Sequence, residues 1–355
     1  MAETLTPAEK PKKKPSRWGL FAPILIFLVL LAGWTGYWFY VASQLENRIA
    51  LTRQNLIDAG YHVGYSPLHV QGYPFRMFIA LDKFEAIAPT GKGFAAPRLE
   101  AEASAFVLDK WVFVATEGLT YYRGRRETPD LGAIDLGEVK ITGDALRASV
   151  SGWTQPIQTI AVEGLNPVFT VSKAEYPFLL QSAQRFEAYL RPNTAAVDNA
   201  DFLWRVTGAK GHPESLIGRM GPNKTFDLHL EGTVGQAAKF KDGRLSAWRD
   251  GGGVMTGVKT SLHIGDLEIF GQSDAMRVDP NLALQGPLEV EIKGSGDPVT
   301  FLLGAGLIAP EYEPLARPFI GTTMTADKPV KLKFDFRDGG TYVGPLKVSD
   351  APVVR

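Results

Sequence analysis

The chain has 355 residues, with 38 Lys and Arg balanced by 38 Asp and Glu, five His and no Cys. The absence of cysteine excludes thiol nucleophiles, disulfides, iron–sulfur clusters and thiolate zinc sites. Balanced charge, without a basic stripe interleaved with aromatic residues, argues against nucleic acid as a partner.

A basic tail followed by an apolar segment opens the chain. Residues 1–17 hold five Lys and Arg against two Glu, and residues 18–41 form an uncharged stretch of 24 residues. A helix of that length, rising ~1.5 Å per residue, crosses the ~30 Å hydrocarbon core of a bilayer. The pattern predicts a cytoplasmic tail over 1–17 and one transmembrane helix over 18–41, in contact with membrane lipid.

The charge asymmetry also predicts the orientation of this helix. Because Lys and Arg concentrate on the cytoplasmic side, the tail should stay inside, and the rest of the chain should lie in the periplasm of a single-pass inner-membrane protein. Trp18 at one end and Trp34 and Trp38 at the other stand where interfacial aromatics are enriched. The alternative is a signal peptide cleaved near residues 41–43, but secretory apolar regions run only about 7–15 residues. We therefore expect the helix to be retained.

A helical stalk is predicted over residues 42–60. Apolar residues continue at helical spacing after the membrane segment, and Gly60 follows as a stop signal, so the helix should end near Asp58. We interpret the stripe as packing on the first strands, with a coiled coil to a partner as the alternative. The stripe consists of Leu45, Ile49, Thr52 and Leu56.

Residues 61–355 are predicted to form a β-rich domain. Alternation with a period of two dominates, and turn residues recur about every ten positions. The short gaps favour hairpins over crossovers, so the strands should be antiparallel. The predicted fold class is mainly β: a transmembrane helix, then a large curved antiparallel sheet forming a groove or half-barrel, with a few covering helices.

Two segments with helical spacing and one repeated tripeptide depart from the strand pattern of the domain. Residues 177–191 and 298–319 are predicted as helices that cover sheet edges or an open end of the sheet. Residues 244–248 are predicted as a strand. The tripeptide at 73–75 recurs at 176–178, which leaves open a domain of two similar halves meeting near 175–200.

The sequence carries no legible catalytic motif. The five His are scattered, with neither a zincin-type pair nor a triad, so we predict no enzyme, no catalytic residue and no cofactor. Asp227, His229 and Glu231 alternate along one predicted strand face and could ligate a divalent ion. The simpler interpretation turns these three to water while the intervening leucines face the core, so no metal site is predicted.

The pentapeptide Gly72–Arg76 has a distinctive composition. Pro74 restricts Tyr73 to extended geometry, Phe75 can pack in the core, and Arg76 offers a planar fork of donors. A structural turn explains these residues. The functional interpretation makes Tyr73, Phe75 and Arg76 contacts for a lipid headgroup or for a carboxylate of a partner.

From this pentapeptide onward the chain resembles a family of uncharacterised proteobacterial envelope proteins, the domain of unknown function 2125. The turn at 248–253, the strand pair at 271–286 and the closing turn at 338–346 fit the same layout. The last hundred residues resemble, more distantly, AsmA-like envelope proteins, in which an anchored sheet curls into an apolar groove. The resemblance implies lipid handling or outer-membrane upkeep, and it brings no catalytic residue.

The predicted function is that of a non-enzymatic cell-envelope protein anchored in the inner membrane. Its concave sheet would bind or shield lipid, or a hydrophobic segment of an envelope protein. Two alternatives stay open. The first is a scaffold whose sheet is filled by its own side chains, and the second is a glycan or lipid hydrolase, which needs titratable groups converging in a cleft.

Overall fold

A computed structural model describes residues 18–128, 132–215, 217–218, 223–242, 245–304, 306–321 and 328–354. The protein is mainly β, with 50% of the described residues in strands and 22% in helices. The cytoplasmic tail predicted over 1–17 lies outside the described residues. The fold class predicted from the sequence is confirmed.

One long helix, α1, covers both the predicted membrane segment and the predicted stalk. It runs from Trp18 to Asp58, and Gly60 follows in the left-handed region at φ +86°. Within the described part of the chain it is long and apolar enough to cross a membrane, and only 6% of its most apolar window is buried. The second half, from Trp34 onward, packs on the sheet through Trp38 and Ala42.

The other helices that the described residues define in full are short and lie in the second half of the chain. They are α2 (Leu245–Asp250), α3 (Pro298–Gly304) and α4 (Glu313–Ile320), with 3₁₀ turns at Ala237–Asp242 and Pro310–Tyr312.

The described residues also include twenty-one strands, numbered in chain order. They are β1 (His62–Gly64), β2 (Arg76–Ile87), β3 (Lys92–Ser104), β4 (Val107–Ala115), β5 (Leu119–Arg123), β6 (Arg125–Thr128), β7 (Gly132–Asp135), β8 (Glu138–Thr142), β9 (Ala145–Ser151), β10 (Thr159–Leu165), β11 (Val168–Val171), β12 (Leu180–Ser182), β13 (Arg185–Pro192), β14 (Ala200–Gly211), β15 (Phe226–Val234), β16 (Met255–Ile264), β17 (Leu267–Val278), β18 (Leu284–Lys293), β19 (Val330–Arg337), β20 (Gly340–Val343) and β21 (Leu346–Asp350).

Nineteen of these strands form one antiparallel sheet, and β6 and β7 form a separate hairpin. The strands follow a meander. Strands β4 and β5 lie end to end, and both pair with β3. Three further sets of two strands laid end to end follow, first β9 and β8, then β10 and β11, then β13 and β12, and the last set pairs with β14. From β14 to β21 each strand pairs with the next. Among the described residues β1 and β21 do not pair with each other, so the sheet is open.

Backbone irregularities lie along one line across the sheet, at the points where the strands laid end to end meet. The Asp144 amide donates to the Leu165 carbonyl at 3.0 Å, the Asn166 amide to the Gln184 carbonyl at 2.8 Å, and the Gln184 amide to the Thr207 carbonyl at 3.0 Å. Bulges of this kind bend the strands that carry them and increase the local twist. Their alignment over neighbouring strands curves the sheet along one line.

Alternation separates the sheet into an apolar and a polar face. One row of residues on each face can be followed across twelve neighbouring strands: β2, β3, β4, β9, β10 and β13 to β19. One apolar row reads Ile79, Ala101, Phe113, Ala148, Val162, Ala188, Trp204, Leu230, Thr260, Gly271, Val290 and Leu332. The neighbouring polar-face row reads Ala80, Glu100, Val114, Arg147, Glu163, Glu187, Arg205, His229, Ser261, Phe270, Glu291 and Lys331.

Helices cover the apolar face at both ends of the sheet. At the start, α1 packs on β2, β3 and β4 around Met77 and Trp111. At the other end, α3 and α4 pack through Leu302 and Ala316 against the last strands, where Phe334 is fully buried. The predicted helical pattern over 298–319 is therefore confirmed, and its helices cover a face of the sheet.

Two other local predictions are wrong. The segment 177–191 contains β12 and β13 instead of a helix, because Phe186, Ala188 and Leu190 lie on the apolar face while Tyr189 lies on the polar one. Of the segment 244–248, the described part belongs to helix α2, which buries Trp248. The sheet continues without interruption through 175–200, and two similar halves stay a prediction.

Candidate functional site

A large apolar concavity lies between the second half of α1 and strands β2 to β4. Its volume is about 780 Å³. The helix contributes Val41, Gln44, Leu45, Arg48, Ile49, Thr52, Arg53 and Leu56, and the sheet and loops contribute Val63, Tyr65, Ile79, Leu81, Phe84, Ala101, Leu108, Asp109, Trp111, Phe113 and Trp153. We call this concavity the α1 groove.

The predicted helical stripe forms the roof of the α1 groove. All four of its residues line the space above the first strands. Leu45 and Ile49 pack on the first strands, as the preferred interpretation of the stripe expected, whereas Thr52 is exposed. The helix touches the sheet closely at Trp38 and Ala42, both buried, and the space opens farther along toward Leu56. The floor is the start of the apolar face, with Ile79 and Trp111 at its centre.

Polar groups stand at the margin of the α1 groove and not on its floor. The guanidinium of Arg53 donates from Nε to the Val63 carbonyl at 3.2 Å and lies 5.2 Å from the centre of the Tyr65 ring. Asp109 accepts hydrogen bonds from the backbone amides of residues 152 and 153, which fixes the half-exposed Trp153 at the margin. An apolar trough with cationic side chains at its edge suits an amphiphile with a negative headgroup.

The pentapeptide predicted as a contact site holds α1 against the sheet. The Tyr73 hydroxyl lies 2.7 Å from Thr35 Oγ1, and the Trp34 indole donates to the Pro74 carbonyl at 3.1 Å. The Trp38 indole donates to the Arg76 carbonyl at 3.2 Å. The pentapeptide is thus built into the junction between helix and sheet, beside the α1 groove.

The outer side chains of the pentapeptide differ from one expectation. Phe75, expected to be able to pack in the core, is 63% exposed and stacks near Phe106, with the ring centroids 6.2 Å apart. Arg76 lies 3.4 Å from both carboxylate oxygens of Glu102 and is exposed. The three predicted contact residues therefore share one corner of the molecule, and their role as contacts stays a prediction.

The predicted metal candidates share a strand face without forming a ligand cluster. His229 Nε2 lies 3.1 Å from Glu231 Oε2, whereas Asp227 Oδ1 accepts the Gly208 amide at 2.6 Å. Within the described ranges, no group of three His, Asp or Glu side chains is arranged to hold a metal ion. The simpler interpretation of this strand, with its polar side chains outward, fits the geometry.

A charged cluster on the polar face escaped sequence analysis because its members come from four strands. Glu163 pairs with Arg147 and Arg185, and Glu187, only 6% exposed, pairs with Arg185 and Arg205. The Tyr189 hydroxyl donates to both carboxylates at 2.9 Å.

The electrostatics of this cluster follow from its hydrogen bonds. The hydrogen bond from Arg147, followed by that from Tyr189, lowers the pKa of Glu163 below its ordinary value. Burial, together with hydrogen bonds to the two carboxylates, raises the pKa of Tyr189 to about 12. Both carboxylates are neutralised by arginines, so the cluster ties neighbouring strands together.

The fold and the groove define the class of protein. It is an open antiparallel sheet with one apolar face, preceded by a helix long and apolar enough to cross a membrane. Residues 38–352 match the family described as uncharacterized protein conserved in bacteria, DUF2125, and the chain belongs to that family. No curated protein and no solved structure matches the chain. The first predicted family resemblance is confirmed, and the AsmA-like one stays a prediction.

Proposed function

We propose that this protein is a non-enzymatic, inner-membrane-anchored protein of the cell envelope that binds an acyl chain of a lipid in the α1 groove. Helix α1 is the anchor, with the N-terminus in the cytoplasm and the sheet in the periplasm. The observation that supports the proposal is an apolar trough of about 780 Å³ roofed by the anchor helix itself.

The size and lining of the α1 groove fit a lipid tail. Ligand pockets span roughly 300–1,000 Å³ and have mainly apolar walls with few polar groups. Each methylene sheltered from water contributes ~0.8 kcal/mol, so about ten methylenes on this floor would offset several kcal/mol of exposure. The exposed Arg48 and Arg53 at the margin could attract a phosphate headgroup.

The position of the α1 groove relative to the membrane supports the same role. Thr52 stands 34 residues beyond Trp18 on one helix, a distance of roughly 51 Å. This exceeds the ~30 Å hydrocarbon core even with a tilt of about 20°. A lipid tail beside Thr52 has therefore left the bilayer, while the end of the groove near Val41 and Leu108 faces the membrane.

A scaffolding role is the second candidate, and one observation favours it. At the far end of the sheet, α3 and α4 fill the apolar face, with Val299 and Leu302 fully buried. A face closed in this manner leaves no room for a ligand there and offers only its outer surface to a partner. The open α1 groove at the other end favours the lipid-binding role.

Native mass spectrometry of the gently extracted full-length protein tests the proposal. Thr52 lines the α1 groove, so Thr52→Trp should place a ring in the trough and strongly reduce the fraction of protein with co-purified phospholipid. Leu51 is exposed and lies outside the groove, so Leu51→Trp is the matched control and should leave lipid occupancy unchanged. Lipid-free wild-type protein, or equal occupancy in both variants, would count against lipid binding in this trough.

A further inference from the structure

A second apolar feature lies at the edge of the domain, outside the α1 groove. Residues 72–75, which precede β2, and residues 104–107, which join β3 to β4, meet there and carry no charged side chain. We call these two segments the aromatic tip. Phe75 is 63% exposed, Phe106 65% and Val107 57%, a concentration of exposed apolar area that a surface bathed in water rarely carries.

The aromatic tip is fixed to the anchor helix at a defined height. The Phe106 ring stacks on the Trp34 ring with centroids 4.8 Å apart, and Phe75 lies 6.2 Å from Phe106. The Trp34 indole donates to the Pro74 carbonyl, and the Tyr73 ring stacks near Phe39. The tip therefore moves with the helix, and the helix sets its depth.

The length of α1 gives an estimate of the depth of the aromatic tip in the bilayer. Trp34 stands sixteen residues beyond Trp18, where the basic tail ends, and that interval measures roughly 24 Å along the axis. The hydrocarbon core is ~30 Å thick, so the level of Trp34 falls about 6 Å short of its outer boundary. Any tilt of the helix places the tip deeper.

Backbone polar groups of the aromatic tip are paired by hydrogen bonds, as an apolar environment requires. The Phe75 carbonyl accepts the Ala105 amide at 2.9 Å, the Gly72 carbonyl accepts the Arg76 amide at 2.9 Å, and Pro74 has no amide hydrogen to satisfy. Unsatisfied backbone groups cost several kcal/mol in hydrocarbon, which explains the value of this pairing.

We infer that the aromatic tip inserts into the outer leaflet of the same bilayer that α1 crosses, so that the sheet is attached to the membrane at two points. The inference rests on the anchoring part of the proposed function and not on lipid binding in the α1 groove. Phe75, Phe106 and Val107 bury their exposed area among acyl chains. Because the tip is inserted, the lower end of the groove faces the bilayer directly.

Fluorescent labelling of single cysteines tests this insertion, since the chain has no cysteine of its own. The full-length protein is reconstituted into vesicles of phosphatidylethanolamine and phosphatidylglycerol, and an environment-sensitive dye is attached at one position per sample. Phe106→Cys and Phe75→Cys report on the tip, and Leu28→Cys reports on the middle of the anchor. Thr90→Cys is the matched control, exposed in the turn at the opposite end of β2, roughly 40 Å of strand away.

Spin-labelled lipids should quench the dye at positions 106, 75 and 28 several-fold more than at position 90. If the dye is quenched at position 28 but is quenched no more at positions 75 and 106 than at position 90, the insertion of the aromatic tip is overturned. The proposal that α1 is an anchor would still hold. A dye at 28 that lipid fails to quench would overturn both. Lipid occupancy of the α1 groove is measured separately and is unaffected by either result.

Discussion

Single residues show how hydrogen-bonded ion pairs stabilise the polar face. Glu163 and Glu187 converge on Tyr189 within hydrogen-bond distance, which is the arrangement a hydrolase would need. Arginines pair with both carboxylates, and the raised pKa of Tyr189 keeps its phenol protonated far above neutral pH. A hydrogen-bonded ion-pair ladder across neighbouring strands accounts for these residues.

The Arg147 to Glu163 pair predicts a pH-dependent loss of stability. Because the folded state lowers the pKa of Glu163, its contribution is present above the ordinary carboxylate pKa and is lost as the pH falls through the folded pKa. Arg147→Gln should reduce the free energy of unfolding by about 0.5–1 kcal/mol near pH 7, and by less near pH 3. Urea titrations of the full chain in detergent at both pH values measure the difference.

Lys110→Gln is the control for this charge change. Lys110 lies on the same strand face as Val112 and lines the same surface concavity as Arg147, without an ion-pair partner among the described residues. Its removal should change the stability by a similar small amount at both pH values. A loss for Arg147→Gln that does not shrink in acid would show that the pair contributes through packing instead of charge.

At the scale of elements, the backbone irregularities across the sheet explain why neighbouring strands are interrupted along the same line. Gly143 sits between β8 and β9, where a Cβ atom would lie only 2.7 Å from the Leu165 carbonyl oxygen. The neighbouring Asn166 has a positive φ of 47° and donates to Gln184. Backbone approaches backbone here, so the bend depends on the absence of a side chain.

Gly143→Ala should therefore destabilise the protein by about 1–3 kcal/mol, because a backbone oxygen cannot yield as a flexible side chain can. Gly64→Ala in β1 is the matched control, since nothing lies within 4 Å of its Cβ position. The control should change the stability by less than about 0.5 kcal/mol. Chemical denaturation of the two variants compares them, and equal midpoints would refute the close approach.

Alternation predicted most strands and their antiparallel pairing, yet it failed at specific places. In 177–191, the apolar residues Phe178, Phe186 and Leu190 recur at intervals that fit a helix as well as a strand, and only the pairing with β14 decides. The floor of the α1 groove was also out of reach. Trp111 and Ile79 meet the helical stripe only after three separate elements come together.

The described structure is one amphipathic sheet whose apolar face is covered by α1 at one end and by α3 and α4 at the other. The face is continuous from the floor of the α1 groove to the cover formed by α3 and α4. It is closed at the C-terminal end and open beside the anchor helix. We therefore propose that a ligand binds at the end of the sheet beside α1.

Photo-crosslinking at Thr52 tests whether lipid binds in the α1 groove. A benzophenone amino acid at position 52 faces the α1 groove roughly 51 Å along the helix from Trp18, beyond the reach of lipids that remain in the bilayer. Illumination of the full-length protein in membranes should give a lipid adduct at position 52, seen by mass spectrometry, and none at the outward-facing position 51. The absence of an adduct at 52, or equal adducts at both positions, would contradict lipid binding in the α1 groove.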